Sequence, residues 1–105
     1  MWNSHQHYLA AVPPKTVEKL RKAGYSGARY YAAVLDWLFV KGIHVQLVPG
    51  FTHVTADHFG FDFILMYVNP AETLEVKKYR WKDFASFRLC LNFAIEKALE
   101  ILNLI

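Results

Sequence analysis

A single cysteine, Cys90, excludes an internal disulfide, and so sparing a use of cysteine fits a reducing compartment. Charge is scarce too. Only 20% of the residues are charged while 54% are hydrophobic, the reverse of the balance that keeps a chain disordered. The five glycines, at 24, 27, 42, 50 and 60, are scattered, and none opens a helix in the setting of a phosphate-cradling loop. The most apolar stretch, Tyr30 to Val40, is interrupted by Asp36 and falls well short of the roughly 20 residues a membrane-spanning helix needs. The apolar run from Tyr8 to Val12 is likewise too short for the core of a signal peptide, and the first basic residue is Lys15. A cytoplasmic location with no membrane contact is the expectation.

What the chain has in excess is aromatic surface: eight Phe, six Tyr and three Trp in 105 residues. That length predicts one domain, 1–105, with residues 1–13 as an irregular lead-in, and it suffices to fold without metal or disulfides. The formal charge of +3 is unevenly spread. Residues 1–30 carry Lys15, Lys19, Arg21, Lys22 and Arg29 against Glu18 alone, whereas residues 31–70 carry Lys41 against Asp36, Asp57 and Asp62. A short basic segment of this kind is the solvated side of a helix. Electrostatic binding of nucleic acid calls for a broad stripe with several phosphate contacts.

Periodicity predicts six elements. Pro13-Pro14 opens a short helix over 14–23, with Val17, Leu20 and Ala23 on one stripe and Gly24 as its stop. Ser26 is placed to cap a second helix over 27–41, closed by Gly42. One face of that helix holds Ala28, Tyr31, Leu35, Leu38 and Phe39, yet Tyr30, Ala33, Val34, Trp37 and Val40 make the other face apolar too. Such a helix is expected to be covered on all sides, by the first helix, the lead-in or a second subunit. Ile43, Val45 and Leu47 alternate with polar residues as a strand that Pro49-Gly50 punctuates with a turn or bulge; 51–58 reads either as its continuation or as a loop. Phe59 to Val68 forms a longer strand, apolar on both faces along part of its length, and therefore either central or sandwiched between helices and a partner. LEVKKYRW, from Leu74, suits a charged sheet edge, with Leu74 and Val76 on one side and Glu75, Lys77, Tyr79 and Trp81 on the other. Ser86 then caps a terminal helix to about residue 103, whose buried stripe is Phe87, Leu91, Ala94, Ile95, Ala98 and Leu102. The expected fold is α+β, in the order α-α-β-β-β-α: a three-stranded, mainly antiparallel sheet with its two main helices on one face.

Two segments carry a resemblance. DWLFVKGIHVQLVP (36–49) is a tryptophan-leucine helix end passing through glycine into an alternating strand. FASFRLCLNFAIEKALEIL (84–102) is an aromatic-x-Ser-aromatic entry to an alanine- and leucine-rich helix. Together they resemble a group of small bacterial prophage and mobile-element proteins with a helix, strands, helix order and no established activity. The chain departs from that group in its basic lead-in and in Arg88 and Leu89, where the group tends to carry glutamates that suit the helix dipole. The resemblance implies an architecture and a mobile-element origin, and no catalytic residue. The element order is also similar to that of the double-stranded-RNA-binding domain, with Pro49-Gly50-Phe51-Thr52-His53 resembling its first interstrand loop. That family opens its last helix with a lysine cluster to reach phosphates, where this chain has Ser86-Phe87-Arg88-Leu89.

Candidate chemistry is sparse. His5 and His7 offer two ligands and lack a third. His53, Asp57 and His58 would meet on one side of a helix, but their Thr- and Phe-rich segment is a poor helix former, and no glutamate base lies between the histidines. No metal site and no cofactor are expected. Cys90 lies beside the buried stripe of the last helix and reads as a core residue rather than a nucleophile. The cluster Lys77, Lys78, Arg80 and Lys82 interleaves cations with Tyr79 and Trp81, as single-stranded nucleic-acid binders do. On a strand, though, alternation separates most of the charge from the aromatics. The leading expectation is therefore a non-enzymatic protein-interaction module, a homodimer, with Tyr30, Trp37, Tyr79 and Trp81 as interface anchors. An RNA- or DNA-binding module using Lys77, Lys78, Arg80 and Lys82 is the alternative.

Overall fold

The computed structural model describes residues 8–51, 59–80 and 87–104. Six elements follow in chain order: α1 (Pro14–Lys22), α2 (Tyr31–Val40), β1 (Ile43–Phe51), β2 (Phe59–Val68), β3 (Leu74–Arg80) and α3 (Phe87–Ile101). The strands form one antiparallel sheet in the order β1-β2-β3, so the two-faced strand is central. The class and element order are those the sequence predicts.

Each helix stop is local chemistry. At the end of α1, Tyr25 N–H donates to the Leu20 carbonyl (2.9 Å) and Gly24 N–H to that of Arg21 (3.1 Å), with Gly24 at φ +100°. This Schellman closure needs a residue that tolerates the left-handed region, and it folds Tyr25 back over Leu20, both buried. The same pair of bonds ends α3, where Leu104 donates to Leu99 and Asn103 to Glu100, with Asn103 at φ 57°. Asn69 holds the β2–β3 turn: its Oδ1 accepts from Thr73 N–H (3.0 Å) and its Nδ2 donates to Glu75 (2.9 Å).

The core lies between the sheet and the helices. Ile43 and Leu47 of β1 and Phe63 and Leu65 of β2 point toward Leu91, Ala94, Ile95 and Ala98 of α3, and all are buried. Phe63 stacks on Tyr79 of β3 (centroids 4.6 Å apart, planes at 13°) and meets Phe93 of α3 at 5.8 Å. Cross-strand aromatic pairs of this kind join strand to strand as well as sheet to helix. Tyr31, fully buried on α2, donates its hydroxyl to the Asn92 side chain on α3. Burial raises its phenol above the ordinary value, so it stays protonated and keeps that donor. Lys19 of α1 bonds Glu96 of α3 at 2.9 Å.

Two expectations change. The second helix begins at Tyr31, not at residue 27, and Ser26 does not cap it: Tyr30 holds the N-cap position in an extended conformation. Tyr30 is drawn out by the lead-in, where Val12 N–H donates to the Arg29 carbonyl (2.8 Å), Tyr31 N–H donates to that of Ala10 (3.2 Å), and Ala11 bridges Tyr30. Pro49-Gly50 does not interrupt β1, because Pro49 pairs with Phe61 and Gly50 with Gly60, and the strand runs on to Phe51. An edge strand tolerates proline, since one side of its backbone faces no neighbour. Within the single chain, the described residues cover α2 only in part. Tyr31, Val34 and Leu38 are buried, while Phe39 and Val40 stay 63% and 77% exposed.

Ile95→Ala is expected to lower stability by about 2–5 kcal/mol in urea titration, as core truncations do. Val40→Ala should leave it within about 0.5 kcal/mol.

Candidate interaction surfaces

The sheet has one covered face and one open one. Alternation puts Ile64, Met66 and Val68 of β2 opposite the core side, beside Lys78, Val76 and Leu74 of β3 in register. No described helix lies over them: Val68, Leu74 and Val76 are 64%, 65% and 56% exposed. At the β1 border, Phe39 leaves the end of α2 and meets His44 edge to face at 5.9 Å.

A second surface is a groove between the α1–α2 connection and the outer side of α2. Gly27, Ala28, Ala32 and Ala33 form its floor, and Tyr25, Tyr30 and Trp37 stand around it, enclosing about 590 Å³. The connection is held rigidly. Arg21 donates to the carbonyls of Tyr25 (3.0 Å) and Gly27 (3.2 Å), and the Tyr25 hydroxyl donates to that of Ala28. Gly27 is required by space, since an added Cβ would lie 2.7 Å from the Tyr25 hydroxyl. Tyr25 and Trp37 meet edge to face at 5.3 Å, and each ring already carries a cation of the chain, Arg21 on Tyr25 and Lys41 on Trp37, both at 5.6 Å.

Two expected anchors, Tyr30 and Trp37, thus line one groove. Tyr79 lies elsewhere, with its ring stacked on Phe63, and Trp81 lies outside the described residues. The basic cluster is divided. Lys77 stands opposite Leu65 and Lys78 opposite Ile64, on the two different faces, and both are exposed. Hydrogen bonding to the Tyr67 hydroxyl raises the Lys77 ammonium above its ordinary value. Arg80 pairs through its backbone with Asp62 at the end of β3, while Lys82 lies outside the described residues. His5, His7, His53, Asp57 and His58 do so as well, and among the described residues no three His, Cys, Asp or Glu are grouped to hold a metal ion.

Cys90 is fully buried beside Leu91. Burial, reinforced by the Asp62 carboxylate, pushes its thiol up to about 12. Sequence reasoning passed over Tyr25 and Asp36 in the groove and Val68, Leu74 and Val76 on the open face. For the open face the signal was present, as apolar residues at alternate positions on the side of β2 away from Phe63 and Leu65.

No helix among the described residues is long and apolar enough to cross a membrane. Models of known protein families, curated proteins and solved structures contain no match to this chain.

Cys90 should resist a thiol reagent at pH 8 in native buffer and react fully in 6 M urea. A thiol at about 12 is almost wholly protonated at that pH. Because the folded state favours the neutral thiol, its contribution to stability is full below about pH 8.5 and is lost as pH rises toward 12. A urea midpoint that falls between pH 9 and 11 in the native sequence, and falls less in Cys90→Ala, is the corresponding result.

Proposed function

We propose that this chain is a non-enzymatic, cytoplasmic protein-interaction module that works as a homodimer, of the mobile-element kind its 36–49 and 84–102 segments resemble. The observation that carries this reading is the open face of the sheet. Val68, Leu74 and Val76 are more than half exposed and adjacent in register, with Ile64 and Met66 half-buried beside them. Soluble monomers rarely leave a continuous apolar patch of this kind in water, and such patches mark sites of association. The molecule is a slab, 41 × 33 × 20 Å, and its thin dimension holds one sheet and one layer of helices. A second copy laid against the open face would supply the missing layer. A two-fold arrangement presents the same patch from both partners, which makes one apolar surface sufficient.

The nucleic-acid reading draws less support. Stacking of bases needs aromatic faces free beside cations. Tyr79 already stacks on Phe63, and Lys78 stands on the opposite face from it.

Light scattering after size exclusion should give twice the 12.2 kDa chain mass at about 100 μM. The double variant Leu74→Asp/Val76→Asp should elute as a folded monomer, since both side chains are exposed and contribute little to the fold. A 12.2 kDa wild-type species would overturn the dimer, and a variant that still dimerises would move the interface off this face.

A further inference from the structure

Asp36 is the one charged residue in α2, whose other nine residues are Tyr, Ala, Ala, Val, Leu, Trp, Leu, Phe and Val. It lies on the side of the helix away from Tyr31, Val34 and Leu38, together with Ala33, Trp37 and Val40 at helical spacing, and it borders the groove. It is exposed, and among the described residues it has no ion-pair partner, although the chain as a whole is basic. The groove therefore combines a carboxylate with three aromatic rings over a floor of glycine and alanine. Two of those rings already attract cations of the chain itself, a guanidinium on Tyr25 and an ammonium on Trp37.

We propose that this groove binds an arginine side chain presented by an extended segment of a partner polypeptide, with its guanidinium on Trp37 and Tyr30 and paired to the Asp36 carboxylate. A planar guanidinium can stack on an aromatic ring and at the same time meet a carboxylate through two parallel hydrogen bonds. A compact ammonium does not have that geometry. The groove is open along its length, so a free amine would keep much of its surface in water. A peptide adds backbone and neighbouring side chains along the alanine floor. The small residues there let a main chain approach closely, while Tyr30 at one end and Val40 at the other limit the reach. Lys41 competes for the Trp37 ring, and a ligand must displace it. This site does not depend on the dimer, because it uses the outer side of α2 rather than the open face of the sheet.

The test uses the full chain and, in parallel, Leu74→Asp/Val76→Asp, so that failure of the dimer leaves the groove testable. The Trp37 indole N–H resonance, identified by its loss in Trp37→Phe, is followed while acetyl-Gly-Gly-Arg-Gly-Gly-amide is added. The expected result is a saturating shift. Asp36→Asn should weaken binding by about fivefold, the scale of a partly exposed ion pair. Lys41→Ala should tighten it by about twofold, through removal of the competing cation. The same peptide with citrulline, which keeps the shape and loses the charge, should leave the resonance in place. Equal shifts with arginine and citrulline, or unchanged binding in Asp36→Asn, would overturn the charge recognition. Argininamide binding as tightly as the peptide would make the ligand a small free cation and overturn the polypeptide partner. A Trp37 shift that follows protein concentration without any peptide would make the occupant a second copy and overturn it equally.

Discussion

The contact between β2 and α3 supports the rest of the molecule. Phe63 and Leu65 face inward from the middle of the sheet, hydrogen-bonded neighbours stand on both sides, and the buried stripe of α3 closes over them. Taking side chains of this size out of water stabilises the fold by on the order of 1.5–3 kcal/mol each, and here they are buried by the last of the six elements in chain order. The sheet is therefore completed by the C-terminal helix. Tyr31 then fixes α2 beside α3 through Asn92, and Lys19 ties α1 to the same helix through Glu96.

From that arrangement follows the asymmetry that gives the protein its two exposed surfaces. A sheet with helices on one side leaves its other side to water unless a further layer is added, and antiparallel sheets tolerate this when the outer side chains are polar. In this sheet they alternate between Lys78 and the apolar Leu74 and Val76, so the tolerance is strained. The outer side of α2 repeats the pattern at smaller scale. One stripe enters the core, and the opposite one, with Tyr30, Trp37 and Val40, borders a groove that the connection through Gly27 is shaped to leave open.

Much of this was legible from residue spacing. The alternation of Phe59 to Val68 set the limits of β2, and its two apolar faces pointed to a central or a sandwiched position, of which the sheet order β1-β2-β3 has the central one. The i, i+3, i+4 recurrence in the last helix picked out Leu91, Ala94, Ile95 and Ala98, all buried. Positions where tertiary contacts override local preference were not legible. Ser26 is a good cap in isolation, but the pairing of Ala11 with Tyr30 holds Tyr30 extended, and no local signal announces a partner 19 positions earlier. Pro49 reads as a stop until the strand is known to be an edge. The groove was half legible. Tyr30 and Trp37 stood out as spare aromatics, and Asp36 beside Trp37 was seen only as a break in an apolar run, whereas Tyr25 joins them through a turn closed by Arg21.

Pro49 also bears on how large an assembly can grow. A sheet extends indefinitely when each copy offers a free edge to the next, and β1 and β3 are the two edges here. Proline provides no donor to an incoming strand on one of them, and Lys77 and Lys78 put charge on both faces of the other. Growth strand by strand is discouraged at both ends. Apolar surface on a face is different, because a two-fold pairing uses the same face of both copies at once. Both edges of the sheet thus carry features that work against a fibre.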